Sequence, residues 1–328
     1  TSLWPVGRAV HDRHVPALAP GTPPGDHYVL TVDLYRVATW ESVGQFTTTV
    51  ALTQATRHPD APVLARLGEE IALSQLEVPE SMMQGGTVEA TAYWMALQEP
   101  SRNYRAEWRL ESLEEDVVLT QALAPGSSSA NWPAGAWVAG RAALSIPPSA
   151  PAGNYTLSLS VLDPESNTVV GTYTHSVPIR VEERTRTWEL PPMDRVVGAR
   201  FGGMIELAGY DIELGQKTLQ LTLHWQALES PDRHYSFFVH LADPATGHPV
   251  RQVDGMPRGF TYPTGLWVEG EVVSDQVLLP VEEVPAGEYE LVVGWYDPDT
   301  KTRLQAVNRQ GEPVIDDRVV LPDKINLP

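Results

Sequence analysis

The chain has no cysteine among its 328 residues, which excludes disulfides, thiolate metal sites and cysteine nucleophiles. Lysine is nearly as scarce, limited to Lys217, Lys301 and Lys324, so the basic residues are almost all arginine. Positive charge is in deficit overall, with 23 basic against 42 acidic residues and a formal net charge of −19. Such a surface repels polyanions over most of its area, so nucleic acid and anionic membranes are not expected partners. No apolar run approaches the roughly 18 residues that a membrane helix requires, and no signal-peptide pattern is legible at the N-terminus. Insertion of this segment into a membrane is therefore not expected. Gly-x-Ser-x-Gly, His-Glu-x-x-His, phosphate-binding glycine loops and dinucleotide fingerprints are all missing, so neither an enzyme nor a cofactor is expected.

Proline and glycine are plentiful, at 29 and 25 residues, which fits a chain that turns often. Self-comparison shows why. Tyr93-Trp94-Met95-Ala96-Leu97-Gln98-Glu99-Pro100 reads almost in step with His224-Trp225-Gln226-Ala227-Leu228-Glu229-Ser230-Pro231, and Tyr104 and Leu110 keep the same offset to Tyr235 and Leu241. Trp132-Pro133-x-Gly135-x-Trp137-x-x-Gly140 is spelled like Tyr262-Pro263-x-Gly265-x-Trp267-x-x-Gly270, and Pro151-Ala152-Gly153-x-Tyr155 like Pro285-Ala286-Gly287-x-Tyr289. The offset stays between 130 and 134, which gives homologous modules of about 130 residues. A third copy is visible upstream, where Thr1 to Gly7 matches Thr264 to Gly270 and Pro24 to Tyr35 matches Pro285 to Tyr296. The expected division is residues 1–57 as the closing part of an incomplete module, then modules at 58–185 and 186–328.

Each module reads as β. Leu219, Leu221, Leu223 and Trp225 alternate with Gln220, Thr222 and His224, the period-2 signature of a half-buried strand, and Tyr235, Phe237, Val239 and Leu241 repeat it. Further strands are expected at 272–281, 289–296 and 318–325. Residues 64–71 have partly helical spacing, but their repeat mate at 201–212 carries Gly202, Gly203 and Gly209, which a helix tolerates badly, so both are expected as strands. Asp163-Pro164, Asp243-Pro244 and Asp297-Pro298 open turns of one design, closed by Asn167, Gly247 and the less suitable Lys301. Together these features predict tandem antiparallel β-sandwiches, an all-β fold.

A tyrosine shortly after glycine and before an apolar strand, as Gly-x-Tyr at Tyr155 and Tyr289 and one residue longer at Tyr28, resembles the tyrosine corner of immunoglobulin-like and fibronectin-type sandwiches. The longer pattern runs from Tyr262-Pro263-Thr264-Gly265-Leu266-Trp267 through Gly270-Glu271-Val272-Val273 to Pro285–Tyr296 and Asp297-Pro298. It resembles the tandem sandwich tails of large bacterial membrane proteins of the glycosyltransferase type. That resemblance covers most of residues 60–328 and the N-terminal fragment. It implies an extracytoplasmic, cell-surface or secreted location and carries no catalytic residues.

Several residues invite chemistry. His224, His240 and Asp254 offer donors for zinc if their strands adjoin, although the second module has Tyr93 and Arg109 at the histidine places, which favours a solvated polar face. Asp297-Pro298-Asp299 offers hard oxygens for calcium, with too few further ligands nearby. The sequon Asn154-Tyr155-Thr156 falls in a tight turn. Aromatic loops are the better ligand platform: Trp132, Phe260 and Tyr262, with Asp254 and Arg258 as hydrogen-bonding neighbours, could stack on sugar rings. Trp137 and Trp267 read instead as plugs at the sandwich edge. In the N-terminal fragment, strands are expected at 9–18, 28–37 and 45–53, with Trp4, Leu30, Val32 and Leu34 facing a core whose other half is missing. Either the chain is a piece of a longer protein, or another polypeptide (or a second copy) supplies the missing strands. The expected function is a structural or interaction protein, and the competing reading is a module that binds cell-envelope glycan.

Overall fold

The structure, a computed structural model, describes residues 25–36, 41–52, 62–114, 116–125 and 128–328. Among these the fold is all-β, built from antiparallel strands with only short 3-10 turns besides. The chain divides into two units: residues 1–82, 87–145 and 153–181 form the first, and residues 83–86, 146–152 and 182–328 the second. Residues 83–86 and 146–152, which lie in the first sandwich by sequence, are grouped with the second unit.

In the first unit, β1 (Gly25–Arg36) and β2 (Glu41–Leu52) form a hairpin that pairs with no other described strand. The strand expected at 9–18, and Trp4 with it, lie outside the described residues. There follow β3 (Ala65–Arg66), β4 (Ile71–Glu77), β5 (Ser81–Met83), β6 (Thr87–Ala96), β7 (Arg105–Glu111), β8 (Asp116–Ala122), β9 (Trp137–Ser145), β10 (Gly153–Leu162), β11 (Val169–Thr174) and β12 (Ile179–Glu182). They make two sheets, β3-β4-β6-β9 and β5-β12-β10-β7-β8, with β11 paired to β10.

The second unit continues with β13 (Arg195–Phe201), β14 (Ile205–Leu214), β15 (Thr218–Ala227), β16 (Ser236–Ala242), β17 (Pro249–Gly255), β18 (Val272–Pro280), β19 (Gly287–Tyr296), β20 (Ala306–Val307) and β21 (Val319–Leu327). Its sheets run β18-β15-β14-β13-β20 and β17-β16-β19-β21, which repeat the orders β9-β6-β4-β3 and β8-β7-β10-β12 of the first sandwich; the edge strands outside these orders differ, β20 in the second and β5 and β11 in the first. The period-2 pattern sets the core: Leu219, Leu221, Leu223 and Trp225 of β15 are buried, as are Leu291, Val293 and Trp295 of β19. Trp225 and Trp267 both meet Trp295 edge to face, at 4.9 and 6.0 Å between ring centroids.

The turns behave as their residues require. Asp163 Oδ1 accepts the backbone N–H groups of Glu165 and Ser166 at 3.0 Å, and Asp243 and Asp297 do the same in their own turns. These amide bonds hold the Asp163 and Asp297 carboxyls below the usual carboxylate range. Lys301 takes the left-handed place at φ 60° despite its side chain, as Asn167 does at 56°. Gly202 and Gly203, at φ 58° and 74°, make the tight turn between β13 and β14, which is why that stretch is two strands and no helix. The Tyr289 hydroxyl donates to Pro285 O at 2.9 Å, the bond a tyrosine corner requires.

The register of the repeat differs from the spelling of its motif. In the first sandwich, Ser129 Oγ accepts the Tyr104 N–H and donates to Arg102 O; in the second, Thr264 Oγ1 accepts the Tyr235 N–H and donates to Arg233 O. Trp132 and Trp267 each follow that 3-10 turn, and Gly135 N and Gly270 N each donate to the preceding strand at Ala96 O and Ala227 O. The structural mate of Trp267 is therefore Trp132, a shift of five residues from the Trp137 match. The buried hydroxyl pin, not the Trp-Pro-x-Gly-x-Trp spelling, defines equivalence.

This pin is testable. Thr264→Val keeps the volume but strands one buried N–H and one C=O, so urea unfolding is expected to show a loss of about 2–3 kcal/mol. Thr264→Ser, the hydroxyl the first sandwich uses, is expected to stay within about 1 kcal/mol of the parent.

Candidate functional site

The second sandwich carries a longer loop than the first between equivalent strands, from Met256 to Glu271, which joins β17 to β18. Glu271 ends it and is only 1 % exposed. A buried carboxylate is tolerable only when its oxygens are matched. Glu271 Oε1 accepts the Tyr262 hydroxyl at 2.5 Å, while Oε2 accepts the Val268 N–H at 3.2 Å and an Arg186 Nη1–H. Arg186 Nη1 also donates to Leu266 O at 2.9 Å and to the Tyr262 oxygen at 3.0 Å, and Nη2 donates to Pro148 O at 2.9 Å. Burial, then the bond to Glu271, drives the Tyr262 phenol pKa well above its ordinary value. The guanidinium groups of Arg258 and Arg184 lie 4.9 and 5.5 Å from the Tyr262 ring centroid.

Above this cluster the backbone is strained. Arg258, Gly259 and Phe260 have φ of 51°, 60° and 71°, a left-handed run that side chains disfavour. Asp275 of β18 holds it by accepting the Arg258 N–H at 2.9 Å. The Asp275 side chain points inward, and its Oδ2 is buried without a hydrogen-bond partner. Burial pushes its pKa up to about 6. In the first sandwich Gly140 stands at that register, opposite Ala92 as Asp275 is opposite Leu223. There the Trp94 indole donates to Leu123 O at 2.7 Å, whereas the indole N–H of its mate Trp225 has no partner.

The expected sugar platform is not assembled as such. Tyr262 is 5 % exposed, with its hydroxyl engaged, and Trp132 is buried as the counterpart of Trp267, so neither ring can stack on a ligand. Phe260 is exposed at the loop tip, and Arg258 is exposed beside it. Asp254 is on β17, paired across from Phe238. Trp267 is a buried plug, as expected, and Trp137 stacks on Tyr93 at 4.4 Å.

The histidines also separate. His224 is on β15 and His240 on β16, strands of different sheets, so the zinc reading of His224, His240 and Asp254 is corrected; among the described residues no three potential ligands converge. His240 stacks on Phe238 at 4.6 Å, and burial, with Arg303 and Arg318 assisting against Asp254, lowers its pKa. His224 is buried between Asp211 and Ser274 on neighbouring strands, at 2.8 Å from each. Since a carboxylate can only accept, Nε2 donates to Asp211, and Nδ1 shares a hydrogen bond with the Ser274 hydroxyl. The bond from His224 is the main reason the Asp211 carboxyl sits below its usual range. The trio resembles a nucleophile, base and orienter, yet it lies across paired mid-sheet strands whose amides serve the ladder, which leaves no donors for an oxyanion. It is a cross-strand strut.

The residues that sequence patterning missed lie just upstream, at Glu183 to Trp188. They line a cleft of about 530 Å³ together with Gln84, Pro148, Ser149 and Val268, all within the second unit. Trp188 is 56 % exposed there, while Trp94, Trp108, Trp225, Trp267 and Trp295 are fully buried. Residues 183–188 lie outside every strand and line the cleft from both parities, so no periodic pattern in the sequence marked them.

Two variants probe the cluster. Removing one partner of the buried pair, as in Glu271→Gln or Arg186→Met, is expected to cost about 3–5 kcal/mol in denaturant unfolding. Asp275 behaves in the opposite sense: its folded pKa lies above its unfolded value of 3.8, so its ionisation weakens the fold as pH rises from about 4 to about 6. Asp275→Asn is therefore expected to stabilise the protein at pH 7.5 by up to about 3 kcal/mol, with the gain vanishing near pH 4. A gain that is constant across pH would contradict the buried-carboxyl account. No protein-family model matches the chain, and neither does any curated protein.

Proposed function

We propose that this chain is a non-catalytic, extracytoplasmic β-sandwich repeat protein with a structural or interaction role, engaging another polypeptide through the β1–β2 hairpin. The observation that carries the reading is the hairpin's apolar face. Cross-strand pairing puts Leu30 opposite Thr48, Val32 opposite Phe46 and Leu34 opposite Gly44, so these side chains share one side. Val32, Leu34 and Phe46 are exposed, Phe46 at 62 %. The opposite side is mostly polar, carrying Thr31, Thr47, Thr49 and Gln45, which donates to Asp33 at 2.8 Å, with Val29 as an exposed apolar residue among them.

In the repeat, Leu30, Val32 and Leu34 correspond to Leu291, Val293 and Trp295, which are fully buried under a second sheet. The occupant that fits is therefore a β-sheet of alternating aliphatic residues, chemically like Leu219, Leu221 and Leu223 of β15. Each such side chain is worth about 1.5–3 kcal/mol on burial, enough in aggregate to outweigh part of the cost of association. The outer edges of the hairpin pair with no other described strand and could add main-chain hydrogen bonds to an incoming one. The strand order β17-β16-β19-β21 against β18-β15-β14 supports an immunoglobulin-like reading of each sandwich. The resemblance to glycosyltransferase-type tails supports the extracytoplasmic location.

Sedimentation velocity tests the face directly. Without its partner the chain is expected to self-associate as concentration rises, and Val32→Asp/Phe46→Asp is expected to remain monomeric with unchanged circular dichroism. A parent chain that stays monomeric throughout, and binds no apolar dye at the hairpin, would overturn the proposal.

A further inference from the structure

The cleft at Trp188 is a built feature, because its floor and one wall are fixed before any ligand arrives. Arg184 N donates to Gln84 Oε1 at 3.0 Å, and the Arg184 Nε and Nη2 donate to Gln84 O at 3.1 and 3.0 Å. Gln84 in turn donates through Nε2 to Ala150 O at 2.7 Å. Two residues on, Arg186 is locked into the Glu271–Tyr262 cluster, and Thr187 O accepts the Val272 N–H at 2.7 Å. The segment leading to Trp188 is thus tied at successive residues. The indole itself lies against Gly270, where a Cβ would come within 3.9 Å of the ring and φ is +83°.

The chemistry of the lining selects among ligands. The volume suits a small molecule or a short stretch of polymer. Both guanidinium groups are committed, Arg186 to Glu271 and Arg184 to the Gln84 carbonyl, so neither offers a free fork to an anion. The exposed Glu183 carboxylate and the net charge of −19 oppose an anion further. What remains is one broad apolar ring beside exposed hydroxyls of Ser149 and Thr185 and the acceptor oxygens of Glu183. A proline-rich peptide needs a row of aromatic walls, and Trp188 is the single aromatic residue in this lining. A ligand with one apolar face and a rim of hydroxyls matches all three features.

We propose that the Trp188 cleft binds a neutral pyranose glycan, with one sugar face stacked on Trp188 and its hydroxyls hydrogen-bonded by Glu183, Ser149 and Thr185. The site shares no residue with the hairpin face, so either proposal can fail without the other.

The test is calorimetric and fluorescence titration of the full chain with cellohexaose, mannohexaose, xylohexaose and N-acetylchitohexaose, with polygalacturonate and a proline-rich peptide as competing classes. At least one neutral oligosaccharide is expected to bind and to shift the indole emission. Trp188→Ala is expected to weaken that binding by about tenfold or more, and Trp188→Tyr to retain most of it. Because Trp188 is exposed, both variants are expected to melt with the parent; Glu183→Gln should weaken binding less than Trp188→Ala. Failure of all four neutral oligosaccharides to bind overturns the proposal. So does binding confined to polygalacturonate or to the peptide, or neutral-glycan affinity unchanged in Trp188→Ala.

Discussion

The carboxylate of Glu271 constrains the second sandwich more than any other group. It is buried, and a lone buried charge is so costly that the chain around it must supply matched donors. Those donors come from three places: the Tyr262 hydroxyl, the Val268 amide and the Arg186 guanidinium. Each one fixes something beyond itself. Tyr262 brings the long β17–β18 loop inward, Val268 closes the turn before β18, and Arg186 seats the 184–188 segment whose end is Trp188. The exposed ring of the cleft therefore depends on a charge pair that never meets solvent.

The two sandwiches show which constraints belong to the fold and which were added. The hydroxyl pin is common to both, as Ser129 and as Thr264, because the amides of Tyr104 and Tyr235, just ahead of β7 and β16, each take a hydroxyl as acceptor. The Glu271 cluster is not common, since Ala136 stands at that place in the first sandwich. Asp275 replaces Gly140 and leaves buried polar atoms unmatched, an arrangement that costs stability and is tolerated where it holds the strained Arg258–Phe260 turn. The first sandwich, with a shorter loop, satisfies its buried indole on Leu123 O and needs no carboxylate.

The β-fold and its repetition were legible in the sequence because period-2 burial is written directly into β15, β16 and β19, and Asp-Pro turns punctuate them. Register within the β17–β18 region was not legible. There the spelling Tyr-Pro-x-Gly-x-Trp aligns residues that a loop of different length has displaced, and only the hydrogen bonds of Ser129 and Thr264 correct it. Tyr262 read as a surface aromatic for a related reason: its neighbours Phe260 and Pro263 are loop-like, while the partners that bury its hydroxyl, Arg186 and Glu271, lie 76 and 9 residues away. His224 and His240 looked adjacent because β15 and β16 are consecutive, yet the chain crosses from one sheet to the other between these two strands. Long-range pairing decides each of these cases, and local pattern does not encode it.

Exposed apolar surface is the complementary signal. Isolated exposed hydrophobic residues carry little meaning, because folded surfaces are half apolar. The hairpin and Trp188 are different in kind. On the hairpin, exposure falls at Val32 and Leu34, whose repeat mates Val293 and Trp295 are fully buried, so the repeat itself supplies the expectation that fails. At Trp188 there is no repeat mate to compare, and the argument rests on rigidity: a costly buried ion pair at Arg186 and a backbone tie at Thr187 hold the segment that ends in the exposed ring. A ring that merely filled space would need none of these supports, and a ring that receives a ligand gains from all of them, because ordering it beforehand removes that cost from binding.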